Sequence, residues 1–261
     1  FNIDDLGFEP QAAESFRKGI NYPYGIVLVT GPTGSGKTTT LYAALNELNS
    51  IDVNITTAED PVEYSLMGIN QVQINEAAGL TFASALRAYL RQDPDIIMVG
   101  EIRDKETAEI AIRASLTGHL VLSTVHTNSA AGTVTRLINM GVEPFLIAST
   151  LTVVVSQRLI RKICDNCKQE KELDLEFLQR IGISPKEIGG TLVYEGAGCD
   201  QCNNSGYKGR IGIFEVMFIT PKVRGLILDR APTDEIHRAG VADGMITLRE
   251  AALRQLRRGV T

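Results

Sequence analysis

The chain has 261 residues, 44% of them hydrophobic, and a formal net charge of −5. That length suits one large domain, or a domain with a small module, around a sizeable core. The acidic balance gives no bulk attraction to nucleic acid or to an anionic membrane, and no apolar run reaches membrane-spanning length.

In chain order, residues 1–24 hold Pro10-Gln11-Ala12-Ala13-Glu14-Ser15-Phe16-Arg17, with proline at a plausible first helical position. The segment reads as a short helix or as the tail of a linker. The chain opens at Phe1 and not at a methionine, so a preceding segment is expected. No signal peptide is recognised. Gly25–Thr30 reads as a buried strand, and Thr38–Leu45 as the start of a helix.

Between them lies Gly31-Pro32-Thr33-Gly34-Ser35-Gly36-Lys37-Thr38, followed by Thr39. This is the phosphate-loop pattern in the strand–loop–helix setting that it requires. Glycines let backbone N–H groups close around phosphate oxygens, and the helix N-terminus adds positive potential. Lys37 is expected to reach the β- and γ-phosphates of ATP, and Thr38 to place its hydroxyl on Mg²⁺.

Val53–Ala58 reads as a strand that ends in Glu59-Asp60-Pro61-Val62-Glu63-Tyr64. Acids just beyond a strand's C-terminal end stand where open α/β sheets bind ligands, although Asp-Pro is also an ordinary turn dipeptide. Thr81 suits the N-cap of a helix over 82–91, which Gln92-Asp93-Pro94 breaks. Ile96-Ile97-Met98-Val99 reads as a core strand of a parallel sheet. Glu101 follows it in the Walker B place, with Gly100 where an aspartate is usual. Asp104 caps the next helix, through Leu116.

Gly118–Asn128 reads as a further core strand. His126 at its end is placed to hydrogen-bond a γ-phosphate, whereas His119 lies at its start. Val134, Leu137 and Ile138 have helical spacing, and Pro144 to Gln157 reads as a buried helix. Strand–helix units of this kind build a twisted, mostly parallel sheet.

All four cysteines fall in two Cys-x-x-Cys pairs, Cys164/Cys167 and Cys199/Cys202, separated by 31 residues. Without export signals they point to a structural Zn²⁺ site in a reducing cytoplasm, not to disulfides. A small helical insert near Leu173–Ile181 and a turn at Ser184–Glu187 account for the long spacing. Arg161, Lys162, Lys208 and Arg210 flank the module as a solvated basic rim. Thr220-Pro221 starts a helix, Thr247 to Glu250 form a capping box, and residues 230–261 read as a small bundle. Arg254, Arg257 and Arg258 are expected in solvent or at a subunit contact.

The stretches GPTGSGKTTTLYAAL, TTAEDPVEY, LRAYLRQDPDIIMVGEIRD, TGHLVLSTVHTN, the paired cysteines and GYKGRIGIFEV occur here in one order. Together they resemble the secretion ATPases that power type IV pilus assembly and type II secretion. The resemblance covers the chain from about Leu6 to Thr261. It implies an α/β fold: a RecA-like core over 1–158, a Cys₄ zinc module over 159–215 and a helical part over 216–261. It implies a hexameric ring at the cytoplasmic face of the inner membrane, engaging a membrane platform protein, and a further N-terminal lobe that covers the nucleotide. By resemblance, Glu63 is the base that orients the attacking water, Glu101 the Walker B acid, and His126 a member of the histidine box. Arg87, Arg91, Arg103 and Arg113 are local candidates to assist. The four cysteines match a zinc motif that the pilus-retraction branch generally lacks, which favours an assembly or secretion motor. Two other classes remain: a zinc-bearing nucleoside or nucleotide kinase, and a DNA-translocating ATPase. The first lacks an evident acceptor segment, and the acidic charge weighs against the second.

Overall fold

The computed structural model describes residues 2–261. Its first part alternates helices and strands. Helix α1 (Pro10–Ile20) precedes β1 (Gly25–Thr30), α2 (Lys37–Leu48), β2 (Ile55–Glu59) and β3 (Asn70–Gln73). Then come α3 (Phe82–Tyr89), β4 (Ile96–Val99), α4 (Lys105–Leu116), β5 (Leu120–Val125), α5 (Ala130–Asn139) and α6 (Pro144–Thr150). The second part runs β6 (Leu151–Ile163), β7 (Lys168–Glu172), α7 (Leu175–Arg180), α8 (Pro185–Ile188), β8 (Leu192–Gly196) and β9 (Tyr207–Phe218). Helices α9 (Pro221–Leu228), α10 (Thr233–Ala242) and α11 (Leu248–Arg257) close the chain.

Seven strands form one sheet in the order β3-β2-β4-β5-β1-β6-β9. All neighbours are parallel except β6 and β9, which are antiparallel. The side-chain period of two divides the core between the faces. Ile26, Leu28, Ile97 and Val99 face one apolar cluster with residues of α3 to α6, α9 and α10. Val27, Val29, Ile96 and Met98 face the other, with Phe16, Leu41, Tyr42 and Phe214. Strands buried on both faces are what a parallel sheet covered by helices requires.

The structure differs from the sequence reading in three places. The helix expected over 144–157 stops at Thr150, and Leu151 begins a long strand. Val153-Val154-Val155 is a β-branched run, stiff at χ1, and it pairs in parallel with Val27, Leu28 and Val29. The divisions at 158/159 and 215/216 both fall inside strands, because β6 and β9 run through them as one antiparallel ribbon. The C-terminal helices spread over the core: α9 packs on α6, α10 on α5 and α9, and α11 on β9 and α8.

Helix α11 is also latched to the start of the chain. Glu9, the buried N-cap residue of α1, accepts hydrogen bonds from Arg258 at 2.7 and 2.8 Å and from Arg254 at 3.4 Å. Both arginines reach this buried carboxylate from partly exposed positions. Thr247 caps α11 by accepting from the Glu250 N–H, while the Glu250 carboxylate pairs with Arg254 and Arg257.

Candidate functional site

A cleft of about 470 Å³ opens at the C-terminal ends of β1, β2, β4 and β5. Its floor is the loop between β1 and α2. Gly36 is the residue before α2 and takes a φ of 86°, a left-handed conformation that glycine adopts without steric cost. At Gly31 the constraint is contact: a Cβ would stand 2.5 Å from the Gln157 carbonyl oxygen and 2.6 Å from Ser35 Oγ. The loop is thus pressed against β6, and only glycine fits. Thr33, Gly34, Gly36, Lys37, Thr38 and Thr39 line the cleft. Gly31 and Ser35 are buried and Pro32 is exposed, and none of the three lines the cleft.

Lys37 Nζ donates to the carbonyls of Gly31 at 3.0 Å and Pro32 at 3.1 Å, folded back across the loop. Burial lowers the ammonium's proton affinity, and the Glu101 carboxylate opposes that shift. The lysine and the acid both line the cleft.

Glu101 is fixed by the turn after β4. Ile102 N–H donates to the Thr124 carbonyl at 2.9 Å, and Thr124 Oγ1 donates to the Gly100 carbonyl at 2.7 Å. Its carboxylate meets His126 Nε2 at 2.9 Å and Arg103 Nε at 2.6 Å. The salt link to Glu101 raises the Arg103 guanidinium's proton affinity still further. Thr30 Oγ1 accepts from the Thr127 N–H at 2.8 Å, which ties the end of β1 to the segment after His126.

The acidic loop after β2 forms the opposite wall, with Glu59, Asp60, Glu63 and Tyr64 all lining the cleft. Glu63 is exposed, whereas Glu59 is buried. The Glu59 carboxylate accepts from Tyr42 on α2, from Thr57 and, at 3.0 Å, from Gln71.

The sequence-predicted residues Lys37, Thr38, Glu63, Glu101 and His126 therefore meet in one cleft. His119 does not: its Nδ1 lies 2.8 Å from the Ala114 carbonyl, at the far end of β5. Among the arginines, Arg103 lines the cleft, while Arg87 pairs with Glu106 on the surface. Sequence reasoning missed Gln157. It is buried on β6, donates through Nε2 to the Ser35 carbonyl at 2.6 Å and accepts from Thr40 Oγ1 at 2.8 Å. A polar residue after a run of valines was the available signal, hidden by reading that run as helix.

The four cysteines gather away from the cleft. Their sulfurs all lie within 4.8 Å of one another, and the close pairs are 3.7 to 3.9 Å apart. Tetrahedral zinc with Zn–S of about 2.3 Å places its sulfurs about 3.8 Å apart, so the donor set fits such an ion. Backbone N–H groups of Gly198 and Gly206 point at the Cys167 and Cys202 sulfurs, each at 3.3 Å. The cluster sits where β6 ends and just before β9 begins. Gly196 and Gly206 touch beside it: a Cβ on Gly196 would stand 2.0 Å from the Gly206 oxygen.

A family profile described as "Type II/IV secretion system protein" matches residues 1–261. The type IV pilus assembly ATPase PilB of Myxococcus xanthus is 53% identical over 261 residues, covering 100% of this chain and 46% of the relative. The type II secretion system ATPase E of Vibrio cholerae is 48% identical over 260 residues, covering 100% of this chain and 51% of the relative. The chain thus spans about half the length of these curated relatives. A crystal structure of the pilus retraction motor PilT with bound ADP aligns with a TM-score of 0.73 at 29% identity, covering 100% of this chain and 64% of that one.

Proposed function

The chain belongs to the type II/IV secretion system protein family, and from that premise we propose that it is the ATP-hydrolysing motor domain of a secretion ATPase. Its work is type IV pilus assembly or type II protein secretion, as the names of PilB and ATPase E describe for those relatives. The observation that carries this reading is the convergence of Lys37, Glu63 and Glu101 on one cleft over a phosphate loop.

The chemistry is in-line attack of water on the γ-phosphorus of ATP. The protein supplies position and charge, which is most of what phosphoryl transfer needs. Loop N–H groups and Lys37 hold the phosphates, and the ammonium leaves its carbonyl partners to do so. Thr38 and Glu101 are the oxygen donors suited to Mg²⁺, which when bound neutralises charge on the β- and γ-oxygens. Glu63 orients the water. His126 sits beside Glu101, within reach of the site of the terminal phosphate.

The remaining parts of the reading are also proposals. The core is RecA-like and works in a hexameric ring in the cytoplasm, held to the inner membrane through a platform protein. Among the described residues no helix is long and apolar enough to cross a membrane. The cysteine cluster holds one structural Zn²⁺ in a module borne on the β6–β9 ribbon. Four thiolates would fill a tetrahedral ion's positions and leave none open for water, so the site supports shape.

The test is the fate of phosphate in the full-length protein with Mg²⁺ and ATP. Release to water is expected, and stoichiometric transfer to a nucleoside phosphate would overturn the reading. Glu63→Gln should bind ATP while losing at least about a hundredfold in turnover.

A further inference from the structure

Tyr42 lies in the middle of α2 with no solvent exposure. A phenylalanine would fill that volume equally well, so the hydroxyl needs its own explanation. It donates to Oε2 of Glu59 and lies 3.3 Å from the main-chain N–H of Glu63, for which it is the acceptor. One oxygen therefore touches both ends of the acidic loop.

Gln71 on β3 completes the grip. Its Nε2 lies 3.0 Å from Glu59 Oε1 and 3.0 Å from the Tyr64 carbonyl, and its Oε1 accepts from the Leu66 N–H at 2.7 Å. Glu59 is almost fully buried and is further held by Thr57. The loop that presents Glu63 is clamped from below at 59, 63, 64 and 66, while the Glu63 side chain stays exposed over the cleft.

The helix beneath gives this clamp its meaning. Lys37 begins α2 and Tyr42 follows five residues later. A helix rises about 1.5 Å per residue, so the two side chains leave one rigid rod about 7.5 Å apart. The phosphate-gripping group and the group that fixes the acidic loop are carried on the same element.

We propose that Tyr42 is a positioning residue that sets Glu63 against the terminal phosphate by referring the acidic loop to the helix that carries Lys37. This rests on the assignment of Glu63 as the residue that orients water. Burial and Glu59 push the phenol up to about 12, so it keeps its proton and remains a donor at neutral pH.

Tyr42→Phe keeps the ring and removes the oxygen. In the full-length protein, affinity for a non-hydrolysable ATP analogue should change less than about threefold, while kcat falls about tenfold to a hundredfold, as misplacement near an ångström does. The deciding measurement is the same substitution in a Glu63→Gln background under single-turnover conditions. With Glu63 already disabled, loss of the hydroxyl should cost nothing more. A purely structural hydroxyl would give the same fractional loss in both backgrounds, in step with loss of folded protein, and would overturn the proposal. So would an unchanged kcat. If Tyr42→Phe does not fold, Gln71→Met takes its place, with a smaller kcat loss and the same dependence on Glu63; no loss overturns the proposal. Normal turnover by Glu63→Gln alone would remove Glu63 from its role, and the proposal would fall with it; full loss there with none in the other variants would sink the proposal alone.

Discussion

The imidazole Nε2 of His126 lies 2.9 Å from Oε1 of Glu101, a contact between the residue just past β5 and one just past β4. Arg103 holds the other carboxylate oxygen at 2.6 Å, so both oxygens are oriented by side chains that follow neighbouring strands. His126→Ala should leave nucleotide affinity within about threefold and lower kcat by roughly a hundredfold, the cost of removing one aligned polar group from a reacting centre. Steady-state hydrolysis with an analogue titration measures both. Unchanged kcat would remove His126 from the site.

The paired serine variant Cys164→Ser/Cys199→Ser should lose about one zinc per chain and expose residues 160–210 to protease, because metal binding and local folding are linked. Metal content by mass spectrometry and limited proteolysis read the two effects. A parent protein with no metal and full protection would show that the cysteines hold no ion.

Glu187 offers a pH test. The Ser184 N–H, then the Arg249 guanidinium, hold its carboxyl down to about 2 from the ordinary 4.5. The folded chain binds that proton less readily than the unfolded chain. Its contribution is complete above about 4.5 and is lost as pH falls toward 2. Glu187→Gln should therefore lose less stability between pH 5 and pH 3 than the parent, measured by urea midpoints. Parallel slopes would show the link to α11 contributes nothing.

Arg254→Ala with Arg258→Ala would strand the Glu9 carboxylate, which is 3% exposed. Leaving a buried charge uncompensated costs about 3 kcal/mol. Denaturant unfolding should show most of that loss, and Glu9→Gln in the same background should recover part of it. A loss below about 0.5 kcal/mol would mean water already satisfies the acid.

Much of the cleft was legible from sequence because its signals are local. The phosphate loop needs only its own glycines and flanks, and Ile96–Val99 announces itself by four apolar residues in a row. Lys37 opens the helix after β1, and Glu101 and His126 closely follow β4 and β5, so their placement could be read from the strands, whereas that of Glu63, four residues past β2, rested on the family resemblance. What could not be read is non-local. Val153–Val155 is short enough to serve a helix or a strand, and its partner β1 lies far back in the chain. Glu59 and Glu63 look alike in sequence; burial against Tyr42, Thr57 and Gln71 separates them. Gln157 acquires its meaning only when β6 is laid beside the loop. The ribbon of β6 and β9 runs through both expected edges of the cysteine-bearing part, a pairing distant in sequence.

Strand β6 has Gln157 beneath the phosphate loop and ends at Ile163, the residue before Cys164. At about 3.3 Å per residue, the six steps from Gln157 to Ile163 span roughly 20 Å. Strand β9 pairs alongside it, with a shift of register between Arg161 and Ile163. The phosphate loop and the cysteine-bearing tip are therefore carried at two points of one continuous strand.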